Sequence, residues 1–70
     1  MDALYTRVEA NMKERFPFDE KRAITLTARI TKILGDNVNA KWDKMSGELF
    51  TAFIDVAMED IAREEPQLFL

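Results

Sequence analysis

The side chains able to do chemistry in this 70-residue chain are few in kind: thirteen Asp and Glu, ten Lys and Arg, one Tyr, Ser46 and several Thr, with neither His nor Cys. Without those two, the commonest general base, the strongest nucleophile and the usual soft-metal ligands are missing. The groups that remain, the carboxylates with Lys13, Tyr5, Ser46 and the threonines, form no recognisable catalytic set. Asp19-Glu20, Glu59-Asp60 and Glu64-Glu65 are adjacent carboxylates, but neighbours on a helix diverge by about 100° and do not converge on one substrate. Asp36-Asn37-Val38-Asn39 begins like a calcium loop yet lacks its spacing, central glycine and terminal glutamate. A chain of this size also leaves little room for a deep pocket. The sequence therefore predicts no enzyme, no cofactor and no metal.

Charge is the other chemistry on offer. Lys21, Arg22, Thr25, Arg29 and Lys32 fall within about 100° of arc if their segment is helical. Such a basic face can follow a phosphate backbone, which makes a small nucleic-acid-associated regulator the alternative reading. The net charge of −3, the lack of aromatic stacking partners and the absence of a helix-turn-helix pattern weigh against it. Residues 1–44 hold nine Lys or Arg against seven Asp or Glu, whereas residues 45–70 hold one against six. This segregation predicts either that the basic face lies near Asp55, Glu59, Glu64 and Glu65 or that both faces are simply solvated.

The elements that must position these groups are helices. Leu4, Tyr5, Val8, Met12 and Phe16 share one arc, predicting a first helix over about 2–15 that ends before Pro17. Asp19 suits an N-cap, Phe18 can staple onto Ala23, and Ala23, Leu26, Ile30, Ile33 and Leu34 share a face, so a second helix is predicted over about 20–34. Gly35 is the expected left-handed stop. Asn39 can cap a third and longest helix over about 40–64, with Ser46-Gly47 as the place where it kinks or divides; if it divides, Ser46 becomes the cap. The reading is an all-α, small three-helix bundle in one domain, 1–65, followed by a short apolar tail, 66–70.

The third helix carries more apolar surface than one neighbour can bury. Trp42, Met45, Leu49, Phe50, Phe53, Ile54, Val56, Ala57, Met58 and Ile61 cover more than half of its circumference, against the stripe of about 100° that a surface helix needs. A core this thin, with no disulfide or metal available, predicts completion by a second subunit, a homodimer, or by a larger protein partner. The candidate contact residues are Trp42, Met45, Leu49, Phe50, Phe53, Ile54, Met58 and Ile61, with Leu68, Phe69 and Leu70 of the tail. The tail either folds back over the bundle or docks in another protein's groove. Gln67-Leu68-Phe69-Leu70 is similar, over four residues, to the glutamine-and-leucine peptides that bind bacterial sliding clamps; the full pattern is absent and no family follows. Asp60 projects into the apolar arc, which predicts either that the arc is exposed there or that Asp60 pairs with Arg7 or Arg15.

No run approaches membrane-spanning length and the first ten residues do not read as a signal peptide, so the expectation is a protein that does not enter a membrane; the lack of cysteine suits the cytoplasm. The function expected from these features is that of a non-enzymatic helical interaction module, an adaptor, inhibitor or accessory subunit, working through the apolar face of the third helix or the tail.

Overall fold

The helical periods set out above are realised in a computed structural model that describes residues 3–70. Helix α1 spans Ala3–Arg15, α2 spans Glu20–Gly35 and α3 spans Gly47–Glu64, with 3-10 turns at Trp42–Lys44 and Pro66–Phe69. The three helices pack as an all-α bundle. Asp2, placed in the first helix by its sequence, lies outside the described residues.

Each helix contributes one row to a common core: Leu4, Val8 and Met12 from α1, Ala23, Leu26, Ile30 and Leu34 from α2, and Phe50, Ile54, Ala57 and Ile61 from α3. These rows follow the i, i+3/i+4 spacing of one helix face. Thr27 is the exception among them, fully buried with its hydroxyl donating to the Ala23 carbonyl at 2.6 Å, so its polar atom is satisfied within its own helix. Ile33, predicted for the same row, stands at its edge and is 37% exposed.

Several local expectations are corrected. The third helix does not begin at Ala40. Met45 and Ser46 are extended, and the Ser46 hydroxyl accepts the Leu49 N–H at 3.2 Å, so the helix divides and Ser46 is the cap of α3. Asn39 caps nothing; its N–H is taken by the Asn37 side chain at 3.3 Å, which folds the connection into a local turn. Gly35 is not left-handed, since no glycine among the described residues has a positive φ. The end of α2 is closed instead by Asp36, whose N–H reaches the Lys32 carbonyl, and by Asn37, whose N–H reaches that of Leu34. Phe18 makes no staple and is wholly exposed, because the turn closed from Asp19 N–H to the Phe16 carbonyl throws it outward. Phe16 turns inward, as its place on the arc of α1 predicts, half-buried against the core under the Arg22 guanidinium.

Candidate functional site

The breadth of apolar surface on α3 resolves into two stripes. Counting 100° per residue from Leu49, the buried row Phe50, Ile54, Ala57 and Ile61 is centred about 100° from a second row of Leu49, Phe53, Val56 and Asp60. The first row faces α1 and α2. The second faces outward: Leu49 is 49% exposed, Phe53 37% and Val56 58%. Large apolar side chains spaced 49, 53, 56 form a continuous ridge about two turns long.

This ridge borders a groove whose opposite wall comes from the end of α2 and the loop after it. A notch of about 180 Å³ is lined by Ile33, Leu34, Asn37, Trp42, Phe53, Val56, Ala57 and Asp60. Next to it Leu49, Ala52, Phe53 and Val56 line a wholly apolar depression. Trp42 is the corner post between core and groove. Its ring meets Phe50, in the core, edge-on at 6.1 Å between centroids, and Phe53, on the ridge, edge-on at 5.3 Å.

Arg7 of α1 holds that corner in place. Its guanidinium donates to the backbone carbonyl of Trp42 and, at 2.8 Å, to that of Met45, while lying 4.3 Å from the centre of the Phe50 ring. One planar fork thus satisfies two carbonyls of a segment that has only a short 3-10 turn of its own and stacks on Phe50. The consequence is that a loop 35 residues away in sequence is fastened to α1 and Trp42 is fixed in the groove wall.

The charge on the α3 side of the groove is mostly negative. Asp60 pairs with Arg63 one turn on, and with neither Arg7 nor Arg15. Its side chain is about half exposed, so the apolar arc is indeed open to solvent at that point and no buried charge needs a distant partner. Arg15 is engaged by Asp55, at 2.7 Å. Glu48, Asp55 and Glu59 are all exposed and project on the flank of α3 next to the ridge.

The basic face of α2 is only partly free. Arg29 forms a two-point pair with Glu65, at 2.8 and 3.1 Å, and this is the one place where that face meets the carboxylates expected to lie near it. The hydrogen bond from Arg29 holds the Glu65 carboxyl below its ordinary range, burial opposes the shift and the guanidinium charge assists it. The same hydrogen bond, with the charge of Glu65 behind it, raises the affinity of Arg29 for its proton. Arg22 is turned towards Asp19 and donates to the Leu70 carbonyl at 2.8 Å. Lys21 and Lys32 are the exposed cations left on this face.

The predicted contact residues therefore separate. Phe50, Ile54 and Ile61 are core residues of this chain, and Trp42, Met45, Met58, Leu68 and Phe69 are half-buried against that core. The tail folds back through Leu68 and Phe69, while Pro66, Gln67 and Leu70 remain exposed. Of the original candidates only Leu49 and Phe53 belong to the open ridge. Val56, Ile33 and Ala52 were missed, although splitting the projection of α3 into two stripes rather than one wide arc would have singled out Val56. Ile33 and Asn37 carry no such signal, because their place in the groove depends on how α2 meets α3.

Among the described residues no group of three Asp, Glu, His or Cys side chains could hold a metal ion, and no helix is long and apolar enough to cross a membrane. The fold is a small all-α bundle with an open apolar groove beside α3. No family model, curated protein or solved structure matches the chain.

Proposed function

We propose that this protein is a non-enzymatic interaction module that docks on another polypeptide through the groove bounded by α3 and the end of α2. The observation that carries the reading is the second stripe of α3: Leu49, Phe53 and Val56 are large, apolar, contiguous and open, while the helix already has a complete buried row. Scattered apolar residues on a surface are ordinary, but a ridge and adjoining notch of this kind mark an interaction site. Trp42 at the corner of the groove adds the aromatic side chain that such sites favour, its backbone carbonyl held by Arg7.

The test is positional. A photo-crosslinking side chain introduced at Val56 in cells should yield one defined adduct, whereas the same group at the exposed Glu14 of α1 should not. The captured partner, purified and mixed with the intact protein, should bind it and lose that binding with Val56→Lys. Equal labelling from both positions, or undiminished binding by Val56→Lys, sinks the reading.

A further inference from the structure

Resting on that reading, we infer that the occupant of the groove is a single cationic amphipathic helix of another protein. It would lay two large apolar residues, one turn apart, on the Leu49–Phe53–Val56 ridge and insert the aliphatic stem of one Lys or Arg into the notch, its charge meeting Asp60.

Size, charge and the shape of the notch each select this occupant. The ridge from Leu49 to Val56 is about two helical turns long, which suits one helix lying in a groove. Between Gly47 and Glu64 there are five carboxylates and a single cation, Arg63. Of these, Glu48, Glu59 and Glu64 make no ion pair among the described residues. A cationic ligand is drawn to such a rim and an acidic one repelled.

The same charges disfavour a second copy as the occupant. Each chain carries −3, and in a twofold pair with antiparallel α3 helices the Glu48, Asp55 and Glu59 flank of one copy lies against the identical flank of the other. A parallel pair would set the helix dipoles side by side in the same sense. The notch itself is lined by Ile33, Leu34, Trp42, Phe53, Val56 and Ala57, with Asn37 and Asp60 as its polar residues. A mostly apolar notch that carries one carboxylate is complementary to a long side chain with an apolar stem and a cationic tip. Trp42 adds an aromatic ring to the notch, and Arg63, 70% exposed, holds Asp60 weakly enough to be displaced or joined.

Three synthetic helical peptides without tryptophan test this on the intact protein, with the emission of Trp42, the sole tryptophan, as the readout. One carries two Leu a turn apart with flanking Lys and Arg; the second replaces those cations by Glu; the third keeps the cations and replaces both Leu by Ser. The first should bind with a Kd of ~10–100 µM and at least about tenfold more tightly than either of the others. Asp60→Asn should weaken it several-fold and Val56→Lys abolish it, with helix content and melting of both variants unchanged. Equal binding of the anionic peptide, equal binding of the Ser peptide, or no effect of Asp60→Asn overturns the cationic helix. Sedimentation of the protein as a dimer that Val56→Lys converts to monomer also overturns it, while leaving the interaction reading intact. No binding of any peptide up to ~1 mM, together with no crosslinked adduct at position 56, removes both.

Discussion

Replacing Arg7 by Ala should cost this small bundle about half of its stability. The side chain makes two hydrogen bonds from a charged donor to backbone carbonyls and one guanidinium-on-ring contact with Phe50. Bonds to charged groups contribute about 1.5–3 kcal/mol each and a partly desolvated cation over a ring about 0.5–2 kcal/mol. These are not additive, because the Trp42 and Met45 carbonyls can recruit water once the loop lifts, so the expected loss is about 2–3 kcal/mol. A single core of this size supplies about 3–5 kcal/mol in total. With a urea dependence of about 1 kcal/mol/M, the unfolding midpoint should fall by about 2–3 M, and the thermal midpoint by roughly 10–20 °C. Urea titration followed by far-ultraviolet circular dichroism gives the stability. The near-ultraviolet signal of Trp42, fixed between Phe50 and Phe53, reports whether the loop is where the energy was lost. Arg7→Lys keeps the charge but not the fork and should recover about half of the loss. A variant Arg7→Ala within about 0.5 kcal/mol of the parent would refute the reasoning, since it would mean that water replaces the guanidinium at no cost.

Two further outcomes follow from local geometry. Gly35 sits in the last turn of α2 with ordinary helical backbone, and a methyl group added there would lie 3.8 Å from Leu4 Cδ2, so Gly35→Ala should stabilise by about 0.5–1 kcal/mol in the same titration. Glu65 has a carboxyl held below its unfolded range by Arg29, so its contribution is present above about pH 4.3 and disappears as the pH falls through the lower folded value. The midpoint difference between the parent and Glu65→Gln should thus be visible near neutrality and close on acidification; a difference that stays constant from pH 7 to 3 would dissociate that carboxyl from the Arg29 pair.

The architecture was legible because most of it is local. Periodicity placed α1 and α2 within a residue or two, Pro17 and Pro66 stopped helices where ring sterics require, and Ser46-Gly47 was marked as the weak point of the third helix before its division was seen. What the chain did not disclose depends on partners distant in sequence. Nothing around Arg7 signals that it will reach Trp42 and Met45, and nothing around Arg15 signals Asp55, since side chains of that length have many carbonyls and carboxylates within reach. Phe18 has a different cause, because a turn of two residues faces its ring outward, while Phe16 stays on the inward arc that its spacing predicts. The open groove was half visible: its existence follows from the excess apolar surface of α3, while its second wall, Ile33, Asn37 and Trp42, exists only once the helices are packed.

The two stripes of α3 also pose a choice to the folding chain. A helix with apolar rows about a third of a turn apart can dock on the α1–α2 pair by either one, and two dockings of similar energy would leave an ensemble in place of a single native state. Asp60 and Arg63 break that tie. Rolling the outer row inward would drag this pair out of water, and even an ion pair recovers its desolvation cost poorly in an apolar setting. The row that holds Ala57 and Ile61 at the corresponding height carries no such cost. A carboxylate that looks misplaced on an apolar face thus fixes the rotation of the helix about its own axis, and with it which side of the protein the world can touch.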